Sequence, residues 1–247
     1  MAHEAGLGLV SITDHDTVGG LEEASQAASR LGIQFVPGCE VSSTSTGQEV
    51  HLLAYGIDPS NAALDSFLTL QQTRRNDRAV EFLARLQKTG DLPASATLPE
   101  PELGRSIARP HIAKLLVDAG TASDFADAFR RYLTPGCTHF VPKPLPEGLD
   151  VIEVVHAAGG VVVLAHPGHG ARHTMVLDLI RNGLDGIEVV HPAHDGSLEV
   201  YYRELAMRYG LFVTGGSDFH GNPKHGSSNL GEYWIKPDAK IMGMVWG

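Results

Sequence analysis

Gly160-Val-Val-Val-Leu-Ala-His-Pro-Gly168 is the stretch on which the fold turns. Its apolar centre, Val161–Ala165, is the longest apolar run in a chain of 247 residues, and it is far shorter than the ~20 residues a membrane span needs. Gly160–Ala165 therefore reads as a strand, set between helical patterns at Leu149–Ala158 and Met175–Asn182. Downstream the alternation continues with a strand at Gly186–Val190, a helix at Leu198–Tyr209 and a strand at Leu211–Gly215. Upstream the same rhythm gives a strand at Leu7–Thr13, a helix at Val18–Leu31 stopped by Gly32, and strands at Ile33–Pro37 and Glu49–Tyr55 with a turn-rich loop of Ser and Thr between them. A long amphipathic helix follows from about Leu64 to Lys88, carrying Arg74, Arg75 and Arg78, and is stopped by Gly90 and Pro93. Strands alternating with helices predict a parallel α/β sheet, and their number suits a barrel as well as an open sheet. Residues 91–147 differ: they are richer in Pro, carry helical patterns at Pro110–Gly120 and Phe125–Leu133, and read as a helical insertion. The expected division is thus 1–90 and 148–247 for the α/β part and 91–147 for the insertion.

Nineteen basic against 29 acidic residues give a formal net charge of −10, which disfavours a coat for duplex DNA, although metal ions can reverse that sign locally. Hydrophobic residues at 43% suit a packed soluble core. Cys39 and Cys137 are too few for a disulfide framework or a thiolate zinc cage. Met1 is followed by Ala-His-Glu and not by a basic-then-apolar leader, so the expected compartment is the cytoplasm, with no membrane attachment. Thirteen histidines stand out beside 6% aromatic content.

In a parallel barrel, chemistry is built where strands end. The first strand ends in Thr13-Asp14-His15-Asp16, the second in Gly38-Cys39-Glu40, and the third contains His51. Gly160–Ala165 runs into His166, Gly186–Val190 leads to His191-Pro192-Ala193-His194, and the last strand ends in Gly216-Ser217-Asp218-Phe219-His220. Imidazoles and carboxylates from separate strands, without thiolates, describe a site for divalent ions of the Mn, Fe or Zn type. A bridging carboxylate lets two such ions stand about 3.5–4 Å apart and clamp a phosphoryl oxygen. His3, His139, His156, His169 and His173 read as solvated or supporting residues, and His225 is left undecided.

ITDHDTVGG at Ile12–Gly20, GCEVS at Gly38–Ser42, VHLLAYGID at Val50–Asp58, LAHPG at Leu164–Gly168 and GGSDFHG at Gly215–Gly221 resemble the successive motifs of the PHP (polymerase and histidinol phosphatase) family of metal-dependent phosphoesterases. IARPHIAKLLVDAG followed by FRRYLTPG resembles the helical insertion of the subgroup acting on nucleoside 3′,5′-bisphosphates and short oligonucleotides. The resemblance covers essentially the whole chain. It implies a distorted (β/α)7 barrel holding two or three divalent ions, Mn foremost, with Fe or Zn as alternatives. His15 would bind one ion together with His220, Glu40 would bridge two ions, one of them completed by His51 and His166, and Asp218 would hold the remaining ion with Glu40. Asp14 or Asp16 would orient His15.

The family's opening strand with its HxH pair, and the Ser-Asp-Gly segment after it, are not found upstream of TDHD. Met1–Leu7 aligns with the end of the first helix. The expectation is a barrel lacking its first strand, through a late-assigned start codon or as a fragment, with a genuinely shorter variant as the alternative, and with impaired activity. The implied activity is phosphate-ester hydrolysis by a metal-bridging hydroxide. Arg109 and His111 match the subgroup's RxH segment and are the expected phosphate ligands. Arg75 and Arg78 either join them or form a solvated helix face. His194 either touches substrate, protonates the leaving group or is a structural loop residue. A histidinol-phosphate or cyclic-phosphate hydrolase of the same family and a non-catalytic metal-binding PHP module are the competing readings. A sugar-isomerase barrel would share the strand-end acids and histidines but not the ordered motifs.

Overall fold

The computed structural model describes residues 1–100, 107–220, 230–237, 242 and 243. His225 lies outside the described residues. The chain forms two compact units, Met1–Phe67 with Leu145–Gly247, and Leu68–Pro144. Among the described residues no helix is long and apolar enough to cross a membrane.

The first unit is built on a six-stranded sheet in sequential order. Its elements are β1 (Leu9–Ile12), α1 (Leu21–Arg30), β2 (Gln34–Ser45), β3 (Gln48–Tyr55), α5 (Gly148–Ala157), β4 (Val161–Leu164), α6 (His173–Arg181), β5 (Gly186–Val190), α7 (Gly196–Tyr209) and β6 (Phe212–Gly215). The helix α2 (Ala62–Thr89) belongs to this unit through Phe67 and to the second beyond it. The strand β4, all apolar, is buried at every residue, as expected for a strand covered on both faces. The helices turn one stripe toward the sheet: Val151, Ile152 and Val155 from α5, Met175, Val176 and Leu179 from α6, and Leu198, Tyr202 and Leu205 from α7 are all buried. Each such aliphatic side chain contributes about 1.5–3 kcal/mol on burial. The helix α7 is sharply bounded: the Asp195 carboxylate accepts the N–H groups of Ser197 and Leu198, and Gly210 at φ +67 ends it.

The expected all-parallel sheet is corrected at β3. Strands β1 and β2 run parallel, as do β4, β5 and β6, but β3 is antiparallel to both of its neighbours. The cause is local. Strand β2 does not stop at Pro37; it continues to Ser45 and turns over Thr46-Gly47, at φ +49 and +73, into Gln48. A two-residue turn with both central residues at positive φ makes a tight hairpin, which can only be antiparallel.

The sheet is also curled into a half-barrel. Asp218, just past β6, and Glu40, in β2, are close enough for their charges to interact, although their strands are four positions apart in the sheet, about 19 Å if it were flat.

The second unit is helical. Phe82, Leu86, Leu92, Ile112, Leu116 and Leu133 form its core. It contains the remainder of α2, α3 (Arg109–Asp118) with Pro110 in its first turn, and α4 (Phe125–Ala128). The helix expected over Phe125–Leu133 widens after Ala128 into a π-helical turn, Phe129–Leu133, which buries the consecutive residues Tyr132 and Leu133.

Candidate metal centre

Glu40 is the buried hub of the first unit's polar residues. The TDHD segment is stitched along β2 to reach it: Glu40 N–H donates to the Asp14 carbonyl at 3.1 Å, and Asp16 N–H donates to the Glu40 carbonyl at 2.8 Å. Asp16 sits at φ +53, where an ordinary side chain is strained, and its carboxylate accepts the Ser42 N–H at 3.1 Å. That turn sets His15 beside Glu40. Because β3 runs antiparallel, His51, near its beginning, pairs with Ser42 and lies at the end of the sheet where β4 delivers His166.

The donor atoms converge. His51 Nδ1 lies 2.8 Å and His166 Nε2 3.0 Å from Glu40 Oε1, and the two nitrogens are 3.3 Å apart. His15 Nδ1 is 3.7 Å from the other oxygen, Oε2, and one ligand atom from each of His15, Glu40 and His51 lies within 4.8 Å of the others. Neighbouring ligands on one ion with bonds of about 2.0–2.2 Å stand roughly 3.0–3.5 Å apart, so this donor set fits a divalent cation. Burial pushes the Glu40 carboxyl up, but the hydrogen bonds from His166 and His51 and the charge of His15 outweigh it and hold Glu40 well below the usual carboxylate range. Burial works against the charged form of His166, and the Glu40 carboxylate beside it overcomes this and raises its pKa.

Asp218, at φ +48, lies within electrostatic reach of Glu40, His51 and His166, and its carboxyl is raised mainly by burial. His220 is exposed, with Nδ1 2.7 Å from the Asp218 carbonyl oxygen. A ring whose Nδ1–H is so engaged presents the Nε2 lone pair, the usual state of a ligating imidazole. The structure therefore gathers His15, Glu40, His51 and His166, sets Asp218 near them, and ties His220 to Asp218.

His194 is buried with both nitrogens on backbone: Nδ1 donates to the Val189 carbonyl at 2.7 Å, and Nε2 accepts the Gly168 N–H at 3.0 Å. In that arrangement both ring nitrogens are occupied by backbone groups. Arg75, Arg78, Arg109 and His111 belong to the second unit. Arg75 is half-buried on α2. Arg78 packs against the rings of Phe82 and Phe140, at 5.2 and 5.6 Å, and donates from Nε to the Val141 carbonyl, so it is not simply a solvated helix face. Arg109 opens α3, donates to the Leu133 carbonyl at 3.3 Å and lies over the Phe129 ring. His111 closes the start of the same helix by accepting the Ala108 N–H on Nδ1.

Sequence reasoning does not single out Glu188 or Tyr202. Glu188 is buried in β5 and accepts the His166 N–H at 2.8 Å; burial pushes its carboxyl up to about 7. The signal was a carboxylate inside the apolar strand GIEVV. Tyr202 donates to the Gly168 carbonyl at 2.7 Å. Of the histidines read as supporting, His139 pairs with Asp91, His156 with Asp185 and His169 with Asp195, and His173 hydrogen-bonds Tyr201.

No family model matches the chain. Its sequence is 36% identical to the 3′,5′-nucleoside bisphosphate phosphatase of Chromobacterium violaceum, over 95% of this chain and 87% of that protein. It is 34% identical to the 5′-3′ exoribonuclease Rnm of Escherichia coli, over 89% of this chain and 77% of the relative. Among solved structures, one from Bifidobacterium adolescentis described as a metal-dependent phosphoesterase superposes with a TM-score of 0.81 at 34% identity, covering 99% of this chain and 87% of that one. Likeness at this level along nearly the full length, with imidazoles and a buried carboxylate converging at the ends of the strands, places the chain in the PHP family of metal-dependent phosphoesterases.

Proposed function

We propose that the protein hydrolyses phosphate esters of nucleoside 3′,5′-bisphosphates or short oligonucleotides with two or three divalent ions, manganese foremost. The observation that carries this reading is the convergence of His51 Nδ1, His166 Nε2 and Glu40 Oε1 within 2.8–3.3 Å, with Glu40 Oε2 left toward His15. Glu40, His51 and His166 would hold one ion, Glu40 and Asp218 a second, and His15 with His220 a third. Such ions lower the pKa of water and neutralise charge on phosphoryl oxygens. Glu40, kept ionised, supplies negative charge to both sides of the cluster. Glu188 anchors the backbone of His166. Arg109 offers a guanidinium fork to substrate phosphate, and His111, with Nδ1 on backbone, offers Nε2–H; Arg75 and Arg78 add positive charge on the same unit. The substrate class comes from the relatives that act on nucleoside bisphosphates and on RNA. The curled sheet is taken as part of the distorted (β/α)7 barrel of the family.

The test is phosphate release from 3′-phosphoadenosine 5′-phosphate and from histidinol phosphate under manganese, iron and zinc in turn. The nucleotide is expected to turn over at least tenfold faster, with manganese best. Equal or faster hydrolysis of histidinol phosphate would overturn the substrate assignment.

A further inference from the structure

The segment that carries His166 is bent and tied. His166 sits at φ +26 and Gly168 at φ +58, so the chain leaves β4 through two left-handed residues, one of them not glycine. Side chains from β5 and the elements after it hold that bend at three points. Glu188 Oε2 accepts the His166 N–H at 2.8 Å, His194 Nε2 accepts the Gly168 N–H at 3.0 Å, and the Tyr202 hydroxyl donates to the Gly168 carbonyl at 2.7 Å. Both polar backbone groups of Gly168 are thus taken by buried side chains. The clamp is itself rigid: His194 Nδ1 donates to the Val189 carbonyl at 2.7 Å, and the His194 and Tyr202 rings lie 5.3 Å apart at 32°.

From this geometry we infer that His194 and Tyr202 are positioning residues, a clamp on Gly168 that holds His166 in its left-handed conformation and so completes the Glu40–His51–His166 donor set. A strained ligand persists only where its surroundings over-determine it. Releasing Gly168 lets His166 relax away from Glu40 Oε1, to which its Nε2 is now 3.0 Å. His194 acts through His166, since its Nε2 lone pair is spent on a backbone N–H. The inference rests on the proposed reading of that donor set as an ion site.

Two variants separate the possibilities. Tyr202→Phe removes one hydroxyl and keeps the buried ring; His194→Asn keeps a donor near the Val189 carbonyl and removes the acceptor for Gly168. Tyr201→Phe, whose hydroxyl bonds His173 on the exposed side of α7, is the control. Each metal-stripped protein, its fold checked by circular dichroism, is titrated with Co²⁺ by calorimetry and by the ion's visible absorption. The tightest ion is expected to bind about tenfold more weakly in Tyr202→Phe and in His194→Asn, with an altered absorption band, and unchanged in Tyr201→Phe. In turnover, His194→Asn is expected to lose the same factor on a nucleoside phosphate and on nitrophenyl phosphate. If both clamp variants bind Co²⁺ as the unaltered protein does, or if the His194→Asn loss is confined to the poorer leaving group, the clamp is wrong. If the unaltered protein binds no Co²⁺, the ion-site reading itself fails.

Discussion

Glu40 and Glu188 are buried acids at the same end of the sheet with opposite titration. The imidazoles hold Glu40 ionised, whereas burial pushes Glu188 up to about 7 from the usual 4.5, with the charges of Glu40 and Asp218 acting in the same direction. Between these values the folded protein keeps a proton on Glu188 that the unfolded chain has lost, so this residue's contribution to stability falls as pH rises from about 4.5 through 7. For Glu40 the sign is reversed: its contribution is present above the usual carboxylate range and is lost in acid. Glu188→Gln keeps an acceptor for the His166 N–H and removes the ionisation. The metal-free variant is expected to match the unaltered protein at pH 5 and to be more stable at pH 8, by on the order of 2–3 kcal/mol. Parallel melting temperatures of the two across that range would show that Glu188 does not titrate this way. At this scale the sequence was most informative about residues that repeat at strand ends and least about those that act through backbone. His15, Glu40, His51 and His166 were legible because metal-ligating types recurred at one position of successive strands. The clamp on Gly168 was not, because Tyr202 lies on a helical stripe indistinguishable from core and the partners of His194 are a carbonyl and an amide.

The β2–β3 hairpin shows where element-level reading fails. The polar run Ser42-Ser-Thr-Ser45 reads as loop, yet Ser42, Ser43 and Ser45 are buried in a strand. Two of the hydroxyls find partners outside the run: that of Ser43 donates to the Val50 carbonyl on β3, and that of Ser45 donates to Asp178 on α6. The hairpin's turn is imperfect for its shape. Thr46, a β-branched residue, occupies φ +49, a conformation that costs most side chains about 1–2 kcal/mol and that asparagine adopts readily. Thr46→Asn creates an Asn-Gly turn and leaves the Thr46 carbonyl, which accepts from Arg172, in place. It is expected to stabilise the protein by about 1 kcal/mol, seen as a higher thermal midpoint; a lower midpoint would mean that the threonine side chain supports the turn in some other way.

At the scale of the whole molecule, the order of motifs along the chain becomes a single place because the sheet curls. Glu40 on β2, His51 on β3, His166 after β4 and Asp218 after β6 interact across strands that a flat sheet would spread apart. The alternation of strands and helices made the α/β architecture legible. The reversal of β3 was not, since two residues, Thr46 and Gly47, decide it. That reversal brings the beginning of β3, and with it His51, to the end of the sheet where its neighbours finish. In the proposed function, Glu40 gathers these imidazoles around divalent ions for phosphate-ester hydrolysis. Its most direct test is phosphate release from a nucleoside 3′,5′-bisphosphate as manganese is titrated into metal-stripped protein, unaltered and as Glu40→Gln. Activity is expected to rise with manganese in the unaltered chain and to fall by more than about a hundredfold in the variant, beyond what losing a supporting residue costs. Hydrolysis that survives in Glu40→Gln, or that proceeds without added metal, would rule out this role for Glu40 and its ions.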